Sequence, residues 1–133
     1  MHLKLMSVVS VSFLLLACDY SATQQTTPVP QSTAKADVTI EITNDGFNPA
    51  SITINKGQTV EFVNRDSALH WPASAMHPTH SEYPTTGGCV GSSFDACHGL
   101  QNGEKFVFTF DQIGTWKYHD HLNITKFGSI EVK

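Results

Sequence analysis

Apolar residues in this chain recur at every second position in one stretch after another, and that period constrains the fold more than any other feature. Val38, Ile40 and Ile42 alternate with Thr39, Glu41 and Thr43 until Asn44-Asp45-Gly46 stops the run. Ile52 and Ile54 repeat the pattern as far as Lys56-Gly57, and Val60 and Phe62 carry it on to Asn64. After a long interruption Phe106, Phe108 and Phe110 alternate again. Gly114 then turns the chain into Trp116, Tyr118 and Asp120, which alternate with Lys117, His119 and His121. That last stretch breaks at Leu122–Lys126 and resumes as a short strand over Ser129–Lys133. A period of two gives a strand one buried and one wet face. No segment of useful length shows helical periodicity, so short strands divided by Gly, Asn and Pro turns predict an all-β antiparallel sandwich or partly closed barrel.

The chain has 133 residues, 40% of them hydrophobic, and a formal net charge of −4, which suits one modest domain. The mild acidity leaves no basic footprint, so nucleic acid is not an expected partner. Met1-His2-Leu3-Lys4 followed by a mostly apolar run to Ala17 reads as a signal peptide over residues 1–17, too short to span a bilayer comfortably. It ends Leu15-Leu16-Ala17-Cys18, which resembles the lipobox of bacterial lipoproteins. That resemblance implies cleavage before Cys18, acylation of Cys18, and an exported chain anchored to the cell envelope, on the periplasmic side or outer face of the cytoplasmic membrane. Residues 18–36, rich in Ser, Thr, Gln, Pro and Ala, read as a flexible tether, which places the domain at 37–133.

The interruption from about Asp66 to Gly103 is too long for a plain connector. It holds His70, His77, His80 and His98, and all of the chain's seven histidines except His2 fall between residues 70 and 121. Clustered histidine is compositional evidence for a metal site. Cys89 and Cys97 sit on a Gly/Ser-rich excursion, Gly87-Gly88-Cys89 to Cys97. In an exported chain a Cys89–Cys97 disulfide is the expected state and would pin the loop. Thiolate metal ligation is the competing reading, and it lacks the close Cys-x-x-Cys spacing.

Phe47-Asn48-Pro49, the run Ile52-x-Ile54-x-x-Gly57-x-x-Val60-x-Phe62-x-Asn64-x-Asp66-x-x-x-His70, and Gly114-Thr115-Trp116-Lys117-Tyr118-His119 together resemble the cupredoxin superfamily. The resemblance spans nearly all of residues 37–133. It implies a Greek-key β-sandwich with a metal at one end and a first histidine ligand at His70. In copper-carrying members the remaining ligands come from a Tyr-x-Cys-x-x-His-x-x-Met-x-Gly loop. Here Asp120 stands at the cysteine position, Asn123 at the histidine and Lys126 at the methionine. A blue-copper centre needs the thiolate, and the chain's cysteines are accounted for by lipid and by each other. The chain is closer to single-domain cupredoxin-like bacterial lipoproteins and to the cupredoxin-like domain of EfeO-type iron-uptake proteins. His119-Asp120-His121 also resembles the Tyr-His-x-His element of multicopper oxidases, and His70-Trp71 faintly resembles their His-Trp element.

The candidate ligands are therefore His70, His77, His80, His119 and His121, with Asp120 as a direct oxygen ligand or a partner fixing an imidazole tautomer. His98, beside Cys97, reads as a solvated loop residue. Imidazoles with one carboxylate suit copper(II) or zinc. The primary reading is a membrane-tethered, copper-binding protein with a non-blue histidine site, which handles copper or passes electrons to a redox or metal-delivery protein. The alternative is a non-catalytic sandwich whose long loop contacts proteins and whose histidines are structural. Copper-dependent redox catalysis is a third, weaker reading, and hydrolytic or nucleotide chemistry has no support.

Overall fold

The computed structural model describes residues 35–133, so the expected signal peptide, Cys18 and the tether up to residue 34 lie outside the described residues. Eight strands form in order: β1 (Val38–Thr43), β2 (Gly46–Asn48), β3 (Ser51–Ile54), β4 (Thr59–Asn64), β5 (Pro72–Ser74), β6 (Lys105–Thr109), β7 (Gly114–Asp120) and β8 (Asn123–Val132). No helix occurs among the described residues. Two four-stranded sheets result, ordered β2-β1-β4-β6 and β3-β8-β7-β5. Each sheet carries one parallel pair, β1 on β4 and β3 on β8, and is otherwise antiparallel. Alternation reports which face of a strand is buried and carries nothing about its direction. The sequence reading of antiparallel pairing therefore gives way to mixed pairing in both sheets.

The alternating residues fill the space between the sheets. Ile40, Ile42, Val60 and Phe62 come from one sheet and Tyr118, Ile130 and Val132 from the other, all buried. Phe62 meets Tyr118 edge-on at 5.3 Å, and Phe47 closes on Tyr118 at 4.8 Å. The Tyr118 hydroxyl donates to the Ala50 carbonyl at 3.1 Å, so its polar end is satisfied. Gly128 lies opposite Tyr118, and a Cβ there would overlap the Ala50 carbonyl and the Tyr118 hydroxyl.

The long interruption belongs to the core. Tyr83 and Phe94 both come from it, both are fully buried, and they pack on Phe110 at 5.5 and 5.0 Å. The Cys89–Cys97 disulfide forms as expected, closing a sequence separation of 8 residues. In the chain-entropy picture a loop that short gains about 2.5 kcal/mol. Two buried aromatic side chains contribute about 1.5–3 kcal/mol each, so the apolar anchors outweigh the covalent one. Within the same interruption β5 forms the edge of the second sheet, pairing Ala73 with His119 and Pro72 with Asp120.

The break expected at Leu122–Lys126 does not occur. β7 and β8 make one hairpin that turns at His121-Leu122, and β8 runs ten residues from Asn123. Asn123, Ile124 and Thr125 are exposed, so this end of β8 buries no face. Its alternation signal vanishes although the ladder persists. A bulge between His119 and Asp120 re-aims the end of β7.

Candidate metal centre

Two separate constellations form where the sequence suggested one. Asp120, wholly buried, turns away from the other histidines and takes His70: Nδ1 of His70 lies 2.7 Å from Asp120 Oδ2, and its Nε2 lies 3.1 Å from Asp66 Oδ2. The remaining Asp120 oxygen accepts from the backbone N–H groups of Trp71 at 2.9 Å and Leu122 at 3.0 Å. This carboxylate thus ties the start of β5 to the β7–β8 turn. Asp66 is held below its ordinary pKa, chiefly by its hydrogen bond to His70. Both ring nitrogens of His70 are engaged by carboxylates, and the structure brings it together with Asp120 but not with the other candidate histidines.

Those others converge. His77, His80, His119 and His121 each offer a ring nitrogen, and the four atoms lie within 4.8 Å of one another. β7 delivers His119 and the adjoining turn delivers His121. The segment after β5 folds over them: His80 N–H donates to the Met76 carbonyl at 2.8 Å, a turn that puts His77 and His80 on the same side. Ala75 N–H on the Lys117 carbonyl at 2.9 Å and Lys117 N–H on Glu82 Oε1 at 2.9 Å fasten this segment to β7. His80 itself has φ +49, a left-handed backbone that non-glycine residues adopt at a cost of about 1–3 kcal/mol and chiefly at functional sites.

Each imidazole has its own environment. His80 is fully buried; its Nδ1 lies 2.6 Å from Asp95 Oδ2 and its Nε2 lies 2.8 Å from His121 Nδ1. A carboxylate only accepts, so the proton sits on His80 Nδ1 and Nε2 presents its lone pair to the cluster. Asp95 also accepts from the Trp71 indole N–H at 2.6 Å and the Cys97 backbone N–H at 2.8 Å. The Trp71 ring in turn lies against that of His121, tilted by 40° with centroids 4.4 Å apart, and its carbonyl accepts from His121 N–H at 2.8 Å. His77 is exposed and covers the cluster from the loop side, 4.8 Å from the His121 ring and 5.4 Å from that of His119.

His119 tests whether the group fits a metal. It is 5% exposed, and neither ring nitrogen has a hydrogen-bond partner. Buried polar atoms are nearly always satisfied. Burial, and then the facing His80, His77 and His121, push its pKa down from 6.5 to about 4, against a smaller opposing pull from Asp120. His121 is lowered too, by burial and then by His80 and His77. Burial thus disfavours the charged forms of His119 and His121, and the four rings turn nitrogens toward a common point, where a cation would take the place of the proton shared between His80 Nε2 and His121 Nδ1. Four imidazole nitrogens with a carboxylate behind one of them fit a divalent ion of the copper or zinc type.

The cupredoxin-like domain family matches residues 8–131. The chain belongs to the cupredoxin family. Among solved structures it is similar to a purple cupredoxin from Nitrosopumilus maritimus, at 25% identity and TM-score 0.59, covering 73% of this chain and all of that one. It is also similar to amicyanin variants, among them a reduced Cu(I) form at pH 4, at 17% identity and TM-score 0.57 over 77% of this chain and 87% of that one. An oxidised amicyanin variant matches at 18% identity and TM-score 0.59 over the same shares. No curated protein matches the chain significantly.

Within the cupredoxin frame, the positions that the resemblance assigned to copper carry other work. Asp120 and His70 hold each other, Asn123 is exposed at the start of β8, and Lys126 Nζ reaches the carbonyls of Thr43 and Asn44 at 3.0 and 2.7 Å. His98 pairs with Glu104 at 2.8 Å on the surface. Asp95 and Trp71 are the contributors to the cluster that sequence reading missed. The available signal was a lone carboxylate, Phe94-Asp95-Ala96-Cys97, inside the cysteine-bounded excursion of a histidine-rich interruption.

Proposed function

We propose that this cupredoxin binds copper in the pocket of His77, His80, His119 and His121, as a non-blue, all-imidazole centre used for copper handling or electron transfer. The orphaned, buried His119 ring carries the reading, because a bound cation would satisfy the lone pair that no protein group meets. His80 is held by Asp95 with Nε2 directed inward, His121 is held by its backbone and by Trp71, and exposed His77 forms the solvent-facing side, by which an ion would enter or leave. Copper there supplies a one-electron couple; zinc would supply none. Thiolate ligation plays no part, since Cys89 and Cys97 are bonded to each other.

The test is a Cu(II) titration of the purified full chain, with bound metal counted after gel filtration and nitrogen hyperfine read by electron paramagnetic resonance. One tightly held ion with several nitrogen donors and no intense blue absorption is expected. Absence of stoichiometric binding, or an intense blue band, would overturn the proposal. Membrane attachment through acylated Cys18 is part of it, supported by the Leu15-Leu16-Ala17-Cys18 pattern. It predicts palmitate labelling in a bacterial host that Cys18→Ala abolishes, together with recovery of the chain in the membrane fraction.

A further inference from the structure

The disulfide and the histidine cluster are joined by one carboxylate. Cys97 backbone N–H donates to Asp95 Oδ1 at 2.8 Å, and Asp95 Oδ2 takes the Nδ1 proton of His80 at 2.6 Å. His80 Nε2 is then placed 2.8 Å from His121 Nδ1. Cys97 holds a left-handed backbone, φ +65, next to this contact. A second link runs through the backbone, where Ser92 N–H, inside the disulfide loop, donates to the His80 carbonyl at 2.8 Å. At Gly91 the loop approaches so closely that a Cβ would overlap the Thr79 carbonyl. Asp95 is 5% exposed and its side chain accepts three donors, whereas Cys89 and Cys97 are both exposed and open to a reductant.

We infer that Asp95 is a positioning residue for the metal pocket and that the Cys89–Cys97 bond latches it, so that reducing the disulfide lowers the pocket's affinity for its ion. The inference rests on the metal-binding reading above, and adds a redox control that the reading does not require. A dithiol is the reductant by class: it donates two electrons and two protons, the S–S bond breaks to two thiols, and the dithiol closes to its own disulfide. The segment between Gly87 and Cys97 then loses its covalent closure. Cys97 N–H and Asp95 are no longer held in register, and His80 is freed from the one rotamer and tautomer that aim Nε2 inward. Orienting partners of this kind typically change metal affinity 10- to 100-fold.

The experiment uses the full chain with Cys18→Ala, so that only two thiols remain, and Zn(II) as a probe that a dithiol cannot reduce. In the metal-free chain, long-range nitrogen–proton correlation spectra read the His80 tautomer. The Nδ1–H form is expected with the disulfide intact, and averaging between tautomers after dithiol treatment, while the resonances of Phe62 and Tyr118 stay dispersed. This arm needs no metal, so its outcome is independent of whether the pocket binds one.

Zn(II) affinity, measured by chelator competition, is expected to fall about tenfold on reduction, and 10- to 100-fold in Asp95→Ala. In the Asp95→Ala background reduction should have little further effect, because the latch acts through that side chain. Additive losses, an unchanged His80 tautomer on reduction, or tighter zinc binding by the freed thiols would each overturn the inference. Loss of core dispersion on reduction would overturn it as well, since the disulfide would then hold the fold rather than the pocket. A chain that binds neither zinc nor, in the absence of reductant, Cu(II) while its tautomer responds would refute the metal reading and with it the control of affinity, leaving only the disulfide's hold on His80.

Discussion

Replacing His119 by leucine removes two buried ring nitrogens that no protein group satisfies, at nearly constant volume. An unsatisfied buried polar group costs about 1–3 kcal/mol, so metal-free His119→Leu should be more stable than the parent by about that much at pH 7. Acid widens the gap. The folded pKa of about 4 lies below the unfolded value of 6.5, so the folded state binds fewer protons across that window. The histidine's contribution is fully present above pH 6.5 and is lost as pH falls toward 4. At about 1.4 kcal/mol per pH unit the loss reaches at most about 3.5 kcal/mol, and less where the neighbouring imidazoles relax. Urea unfolding at pH 7 and pH 4.5, with chelator present, measures both effects. The variant should lose markedly less stability between the two than the parent. With zinc at a hundredfold excess over its dissociation constant the parent gains about 2.7 kcal/mol and overtakes or matches the variant. If metal-free His119→Leu is instead destabilised at pH 7, the ring nitrogens are satisfied in solution, and the argument that this pocket wants a cation collapses.

Asp120→Ala strands His70 Nδ1 and the N–H groups of Trp71 and Leu122; a loss of about 3–5 kcal/mol is expected from urea unfolding, while the metal stoichiometry of the folded fraction stays the same. Asp120→Cys puts a thiol beside His70, away from the four-histidine pocket, and Cu(II) addition should give no intense blue band; a strong band would show that a second imidazole can reach this position. Lys126→Met frees the carbonyls of Thr43 and Asn44, so a stability loss of about 1 kcal/mol is expected with metal affinity unchanged. Gly128→Ala drives a methyl group into the Ala50 carbonyl and the Tyr118 hydroxyl, and a thermal melt should register about 1–3 kcal/mol of overpacking strain.

What was legible in the sequence divides along a physical line. Alternation exposes any strand with one dry face, and Ile40, Phe62 and Tyr118 showed theirs. It is silent where both faces are wet, as at Asn123–Thr125, and for β5, where all three residues are buried. Histidine clustering in the sequence corresponds to proximity in the fold for four of the five candidate imidazoles. It could not separate His70 from them, since sequence spacing does not say which carboxylate an imidazole will find first.

Position 120 decides where a metal can sit in this chain. At the place where the resemblance puts a cysteine, the carboxylate accepts two backbone N–H groups and an imidazole, which leaves little for a metal. An Asp–His pair sits at that spot, buried and mutually satisfied. Alternation along β7 then directs His119, one residue earlier, out of that locus and under the segment carrying His77 and His80. Asp95 comes from the long segment between β5 and β6 that also brings Tyr83, Phe94 and the two cysteines. The pocket therefore depends on the packing of that segment as much as on the hairpin. This makes a separable expectation for Phe94→Ala, which empties a fully buried aromatic site beside Asp95. It should cost about 3–5 kcal/mol of stability. In the molecules that stay folded, it should also weaken metal binding through the displaced Asp95, whereas Phe47→Ala, in the core away from that segment, should cost stability alone. Equal metal affinity in the two folded variants, measured by chelator competition, would show that the hairpin histidines hold the ion without that segment's support.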